Sequence, residues 1–245
     1  MALMRLWLVF AVSLIPSLLH AATLVVVDNS NPPFMYQDAG QAKGLYPSLL
    51  QALFKRLGEP VEVQAVPWKR ALMLSASTEA GVGGIYKNAQ RQQLYDFSEP
   101  LFEEKILVYV RRDNSFAFEA LDDLAGRKIG TIRGWSYSEA FDQAARNGRI
   151  LARENISDDA NFKMLASGRL DAVLAIEQAG QQTIDRLKLQ QIVALGQPLH
   201  SNPTYLAFGK NTDRRALLAR INTLLHEMQA DGSLNELLQQ SLSTE

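Results

Sequence analysis

Arg91 is the residue whose type and surroundings point most directly to ligand chemistry. It stands in the polar stretch NAQRQQLYDFSEPLF, residues 88–102, which leads into an aromatic and acidic segment. A guanidinium group presents a planar fork that binds a carboxylate through two parallel hydrogen bonds. In a chain with 25 Lys and Arg residues, the alternative is a solvated surface arginine. The rest of the sequence must decide between these roles.

The sequence gives little support for metal binding or for common catalytic motifs. It contains no cysteine, which excludes disulfides, thiolate metal sites and a cysteine nucleophile. Beyond residue 22 the histidines are His200 and His226, which are far apart and lack ligand spacing. The glycine-rich GVGGIY does not fit GxGxxG, and no GxxxxGK[ST] occurs. We therefore predict no metal, no cofactor and no catalytic residue.

The N-terminus predicts export. Residues 1–22 combine a positive charge at Arg5, an apolar run and a small-residue site near Ala21 and Ala22, which is typical of a cleavable signal peptide. The alternative is a membrane anchor, but the apolar run is shorter than the roughly 20 residues that span a bilayer. No cysteine can carry a lipid, so we predict a protein released into the periplasm.

Charge and size limit the possible partners. After the predicted signal peptide the chain carries 24 basic and 26 acidic residues, a balance that predicts no binding surface for nucleic acid or anionic membranes. The remaining residues can form one large domain or two small ones, and 47% hydrophobic content is enough for real cores either way. We expect a monomer.

Strand and helix patterns alternate along the chain, which predicts an α/β fold with parallel sheets covered on both faces. One βαβ series precedes residues 111–126, RRDNSFAFEALDDLAG, which predict a crossover, and a second series follows them. In the second series we predict a helix from Ser136 to Ala145. Its start, SYSE, reads as a capping box led by Ser136, and the same helix end can also present amides to an anion.

Seven segments occur in an order found in one known family: NPPFMY, GLYPSLLQALFKRLG, AQRQQLYDFSEPLF, LDDLAGRKIGTIRG, LASGRLDAVLAI, YLAFGK and INTLLHEMQADGSLNELL. In this order they resemble the bacterial extracellular solute-binding proteins of family 3, the polar amino acid type. The resemblance implies a type II periplasmic-binding fold, with two doubly wound sheets joined by two hinge strands and a ligand in the cleft. The implied first lobe takes residues 23–112 and 197–245, and the second takes 113–196.

The same resemblance implies a role for Arg91, because the arginine before DFS binds the ligand carboxylate in this family. The family's acid for the ligand ammonium falls on Ile176 here. Glu177 follows, but the next residue of a strand points to the opposite face, so Glu177 is either the ammonium partner or a helix-start residue favoured by the helix dipole. The other implied ligand residues are Asp28 and Asn31 at the end of the first strand, Trp68 as an aromatic wall, Tyr86 and Trp135 at positions where hydroxyl residues are usual, and Ser136.

Each of these assignments has a structural alternative: Trp68 fits a core position, and Arg70 and Arg133 are either charges near the site or solvated residues. Three ligand classes remain open. They are an amino acid whose ammonium meets Asp28 or Glu177, a carboxylate without an amine, and a betaine-like solute against Trp68, Tyr86 and Trp135.

The partner is an ABC permease or a membrane receptor, the latter if the chain is a ligand-sensing module. A dehydratase acting on arogenate or prephenate is known on this fold, so an enzyme with Glu177 as general acid is a further alternative.

Overall fold

The computed structural model describes residues 21–243, so the predicted signal peptide lies almost wholly outside the described residues. No helix within 21–243 is both long and apolar enough to cross a membrane. The described chain folds into twelve strands and eight α-helices.

The strands are, in chain order, β1 (Thr23–Asp28), β2 (Ser30–Asn31), β3 (Met35–Asp38), β4 (Gln41–Lys43), β5 (Val61–Val66), β6 (Gly81–Tyr86), β7 (Tyr95–Phe97), β8 (Phe102–Arg111), β9 (Lys128–Ile132), β10 (Leu151–Asn155), β11 (Ala172–Ile176) and β12 (Ile192–Gly209). The helices are α1 (Leu45–Leu57), α2 (Trp68–Ser77), α3 (Ala89–Leu94), α4 (Glu139–Arg146), α5 (Asp158–Ala166), α6 (Glu177–Leu187), α7 (Arg215–Ala230) and α8 (Ser233–Ser243).

One mixed sheet runs through the whole molecule. Its strand order is β10-β9-β11-β8-β12-β6-β1-β5, and β7 also pairs with β12. The pairs at each end are parallel, whereas β11 with β8, β8 with β12 and β12 with β6 are antiparallel. The two parallel halves expected from the sequence are therefore joined edge to edge through β8 and β12. This arrangement is the two-lobed type II fold.

Strands β8 and β12 are the two connections between the halves. They pair from Ile192 opposite Arg111 to Thr204 opposite Phe102, with register shifts near Pro198. The predicted hinge segments ILVYVRRD and PLHSNPTYLAFGK lie in these strands except for their last residues, Arg112, Asp113 and Lys210. Helices α7 and α8 return to pack on α1 of the first half. The exact lobe boundaries, at residues 112/113 and 196/197, stay a prediction.

The predicted helix over Ser136–Ala145 is corrected at its start. Helix α4 begins at Glu139, and its N-cap is Ser138, whose hydroxyl accepts a hydrogen bond from the Phe141 amide at 3.1 Å. The predicted capping box led by Ser136 is wrong. Residues 135–137 are not helical because Tyr137 is buried there and its hydroxyl accepts from the Ile132 amide at 2.8 Å.

Gly44 lets the loop after β2 approach the start of α1. The Leu45 and Tyr46 amides donate to the carbonyls of Pro33 and Phe34 at 3.1 and 2.9 Å. Gly44 has φ of 103°, and a Cβ there would lie 2.5 Å from the Pro33 oxygen. This contact fixes the start of α1, and with it the position of Tyr46.

We predict that Gly44→Ala lowers the free energy of unfolding by about 1–3 kcal/mol more than Gly40→Ala does, because the added methyl overlaps backbone. Gly40 is the matched control, since its φ is also positive but nothing lies within 4 Å of a Cβ there. Urea denaturation of both variants measures the difference. Equal losses would mean that the loop yields to the methyl at no cost.

Candidate functional site

Arg91 lies buried where the two halves of the molecule meet. Its helix, α3, is capped by Asn88, whose side-chain oxygen accepts from the Arg91 amide at 2.8 Å. The guanidinium is 5.8 Å from the centre of the Trp68 ring. It donates to the carbonyls of Tyr86 at 2.9 Å and Gly134 at 3.4 Å. The side chain is only 7% exposed, which excludes the solvated surface role.

Burial makes the Arg91 charge costly. It lowers the pKa of Arg91 to about 10, and Asp142 offsets part of that shift from a distance. None of the ion pairs among residues 21–243 includes Arg91. A guanidinium has five N–H donors, so donors remain for an anion after the two carbonyl contacts. The chemistry of the position therefore suits a carboxylate.

Five of the predicted ligand residues line one small cavity: Trp68, Tyr86, Arg91, Trp135 and Ser136. Met35, Gly84 and Glu104 complete its wall. The cavity measures about 10 Å³, which is room for about one water molecule. On the other side of Arg91 a larger open cavity of about 490 Å³ also reaches Trp135 and Ser136.

Direct hydrogen bonds join the two halves around these cavities. The Trp135 indole donates to Asp28 Oδ2 at 2.9 Å, and the Trp68 indole donates to the Gly134 carbonyl at 3.1 Å. Asn88 donates to Ser136 Oγ at 3.3 Å. The two tryptophan rings also meet edge to face, with centroids 6.5 Å apart. The two lobes are thus closed on each other in this structure.

Ser136 is buried beside the guanidinium but does not cap a helix. Its hydroxyl donates to Asp142 Oδ2 and accepts from Asn88, so it links α3 of one half to α4 of the other. The Asp142 carboxylate also accepts from the Tyr137 amide at 3.1 Å. The position faces both cavities that contain Arg91.

Asp28 is the last residue of β1 and Asn31 is the last residue of β2, and both are buried, as is Asp158 of α5. Asp28 accepts from Ser30 as well as from Trp135, and burial raises its pKa despite these bonds. Burial, and then the nearby Asp28, raise the pKa of Asp158 to about 7. Neither side-chain polar atom of Asn31 has a hydrogen-bond partner, and the same holds for Asp158 Oδ1. These three residues are outside the small cavity.

Three residues considered from the sequence line neither cavity that contains Arg91. Glu177 is exposed and is the first residue of α6, in keeping with a helix-start role. Arg70 and Arg133 are exposed as well, and Arg133 lies 3.9 Å from Glu154. A ligand role for Glu177 stays a prediction.

Glu104 is a site residue that the sequence reasoning missed. Its carboxyl is completely buried on β8 and accepts hydrogen bonds from the hydroxyls of Tyr46 and Tyr86. Burial raises its pKa from the ordinary 4.5 to about 7, and the two tyrosine bonds only partly oppose this. A signal was present: Ile106, Val108 and other apolar residues alternate along β8, which predicts Glu104 on the same buried face.

The Tyr46 hydroxyl can serve either protonation state of Glu104. It lies within hydrogen-bond distance of both Glu104 and Thr204 Oγ1, and Thr204 in turn donates to the Phe102 carbonyl at 3.0 Å. A phenol has one proton to donate. When Glu104 is ionised, Tyr46 donates this proton to Glu104. When Glu104 is protonated, Glu104 donates to Tyr46, and Tyr46 donates to Thr204. Every hydroxyl in this relay thus has a partner in both states.

Comparison with known proteins agrees with this geometry. Residues 24–244 match the family of bacterial extracellular solute-binding proteins, family 3. The chain belongs to this family.

Two comparisons with solved structures show the same fold as this family 3 chain. A histidine kinase sensor domain with similarity to periplasmic binding proteins superposes with a TM-score of 0.81 and 22% identity, over 91% of this chain and 97% of that one. An ancestral arginine-binding protein bound to arginine gives a TM-score of 0.76 and 24% identity, over 91% and 98%. Among curated relatives, the L-cystine-binding protein TcyJ of Escherichia coli (strain K12) is 27% identical, over 87% of this chain and 80% of its own length.

We predict that ionisation of Glu104 destabilises this family 3 protein when no ligand is bound. Between pH 4.5 and 7 the folded state keeps a proton that the unfolded chain has released, so the stability from this group is full below pH 4.5 and is lost as the pH rises through about 7. Glu104→Gln does not lose this stability, because a glutamine side chain does not ionise in this pH range. The variant should gain up to about 3 kcal/mol relative to the wild type between pH 5 and 8.5.

The measurement is urea denaturation across that pH range. Glu103→Gln is the matched control, because Glu103 is the preceding residue of β8 and is exposed. A gap between Glu104→Gln and the wild type that stays constant with pH would contradict the prediction.

Proposed function

We propose that this protein captures a small carboxylate ligand, a polar amino acid or a related solute, in the cleft between its lobes. The observation that carries the proposal is the buried Arg91, which lines two interlobe cavities and is in no ion pair within the described chain. Ligand residues from both lobes surround it. A ligand that bridges them holds the clamp closed.

The relatives support an amino acid as the carboxylate. TcyJ is named for binding L-cystine, and one structural neighbour was solved with arginine bound. The aromatic walls formed by Trp68, Tyr86 and Trp135 suit a ligand with an apolar or cationic portion next to its carboxylate. The protein acts as a monomer in the periplasm, delivered there by the signal peptide at residues 1–22.

The proposed role of the ligand-bound protein is to deliver its ligand to an ABC-type importer. The second candidate is a sensor role, which the likeness to a histidine kinase sensor domain favours. The importer role and the sensor role differ in one testable respect. Loss of an importer component abolishes high-affinity uptake, whereas loss of a sensor component leaves uptake intact and removes a transcriptional response. Deleting the gene and measuring uptake of radiolabelled L-cystine and L-arginine, with transcript profiles, separates the two.

We predict that Arg91→Ala weakens carboxylate binding at least about 30-fold, because loss of a buried charge partner costs about 2–5 kcal/mol. Arg91→Lys should recover only part of the loss, since an ammonium cannot supply two parallel bonds. Calorimetry measures both, using the carboxylates that raise the melting temperature of the wild type. Arg153→Ala is the control, because Arg153 is exposed and contacts only the neighbouring Ala152 carbonyl. Equal affinity in all three variants would remove Arg91 from the site.

We also predict no turnover of prephenate or arogenate. Glu177, the acid that the dehydratase alternative requires, is exposed and lines neither cavity that contains Arg91. Incubation of each compound with the protein, followed by chromatography for aromatic products, tests this. Product formation that is lost in Glu177→Gln would make the protein an enzyme.

A further inference from the structure

Glu104 brings a negative charge to the same cavity as Arg91. Both residues line the small cavity of about 10 Å³, Glu104 from β8 and Arg91 from α3. No Lys, Arg or His of the described chain forms an ion pair with Glu104. Its hydrogen-bond partners are two tyrosine hydroxyls, which carry no charge. The cavity therefore has a cationic group and an acidic group that are not paired with each other.

The strand register places this acid close to the end of β11. Ile106 of β8 lies directly opposite Ile176 of β11. Glu104 precedes Ile106 by two residues, so the two side chains lie on one face of β8. Glu104 is therefore two residues along β8 from the position opposite Ile176, and Ile176 itself carries no charge.

We propose that Glu104 binds an ammonium group of the ligand, which makes the ligand a zwitterion with its carboxylate on Arg91. The inference rests on the proposed function and specifies its ligand class. A buried carboxylate is costly unless a cation or hydrogen bonds compensate it, and a ligand ammonium supplies both. The Trp68, Tyr86 and Trp135 rings around the cavity add favourable contacts for a cation. A carboxylate without an amine would leave Glu104 unpaired.

The groups that face Glu104 make its protonation sensitive to such a ligand. Tyr46 of α1 and Tyr86 of β6 donate to it, Thr204 of β12 closes the relay behind Tyr46, and Arg91 of α3 shares the cavity. In the ligand-free protein its pKa is about 7. An ammonium beside the carboxylate favours the ionised form, so binding near pH 6 must release a proton from Glu104.

Asp28 and Asp158 are two further buried acids where the two halves meet. They lie outside the small cavity, and Asp28 is already bonded to Trp135. Glu104 lines the small cavity together with Arg91, whereas Asp142 and Glu154 line the larger cavity with it. Asp158→Asn therefore serves as the comparison that separates the two acidic sites.

The first experiment identifies the ligand class. Thermal shift is measured for the wild type with the twenty L-amino acids, L-cystine and glycine betaine, and with the amine-free acids succinate, malate, citrate, lactate and 2-oxoglutarate. Stabilisation by an L-amino acid or L-cystine, and none by its counterparts without an amine, is expected. Stronger stabilisation by an amine-free acid or by glycine betaine, which cannot donate N–H bonds, overturns the inference and leaves the carboxylate function standing. If no carboxylate stabilises the protein, both fail.

The second experiment is calorimetry of the best amino acid with wild type, Glu104→Gln, Asp158→Asn and Glu103→Gln. We expect at least about 30-fold weaker binding for Glu104→Gln, and wild-type affinity for Glu103→Gln. Unchanged affinity in Glu104→Gln, or a loss found only in Asp158→Asn, overturns the inference. Arg91→Ala, measured in the same series, reports separately on the carboxylate site.

The pH dependence gives a readout that does not depend on how well a variant folds. Wild-type affinity for the amino acid should fall about tenfold between pH 8 and pH 6, as protonation of Glu104 competes with the ammonium. At pH 6.5, titrations in buffers of different ionisation enthalpy should show proton release, and Glu104→Gln should show none. Tighter binding at low pH would mean that a neutral Glu104 donates to the ligand, which contradicts the inference.

Discussion

The antiparallel pairing of β8 with β12 is the constraint on which the rest of the molecule depends. It joins two parallel half-sheets into one, and each half can complete its core only because these two strands pass through both. The same strands bring the loop after β9 against α2 and α3, where the indole of Trp68 reaches the Gly134 carbonyl. The ligand cleft is thus a product of sheet topology rather than of a local motif.

Polar groups concentrate where that junction is tightest. Arg91, Glu104 and Asp158 are all buried there, and each is desolvated. A core designed only for stability would use apolar residues at such positions, because buried charges seldom repay their desolvation. For Arg91 and Glu104, the proposed ligand supplies the opposite charges from outside the chain. The apolar core, by contrast, contains residues that helical periodicity alone predicts, such as Leu49 and Leu53 of α1.

The sequence predicted the alternating elements and the two-lobed fold, because these follow from local periodicity and from an ordered set of motifs. It also singled out Arg91 and four other residues that line one cavity, and their ligand roles stay predictions. It misjudged the start of α4, since Ser136 and Ser138 both fit an N-cap and only the burial of Tyr137 decides between them. Glu104 shows a different limit. Alternation along β8 indicates a buried face, but whether that face meets a core or a cleft depends on Tyr46 and Tyr86, which come from distant parts of the chain. The placement of Asp158 beside Asp28 likewise depends on how two halves close, which no local pattern encodes.

The hydroxyl relay from Tyr46 to Thr204 bears on how quickly the cleft can exchange its contents. A site built around a fixed charge holds an unpaired group whenever its ligand departs, and that penalty raises the barrier to release. Here a proton from solution can take the place of a departing cation, and the phenol turns to Thr204 without leaving any hydroxyl unbonded. Thr204 also donates to the carbonyl of Phe102, the first residue of β8. The exchange of partners therefore reaches a strand that connects the lobes. Release of the ligand and reopening of the lobes therefore involve the same hydrogen-bonded side chains, Glu104, Tyr46 and Thr204. The pH of the medium sets how often Glu104 carries a proton in place of the ligand.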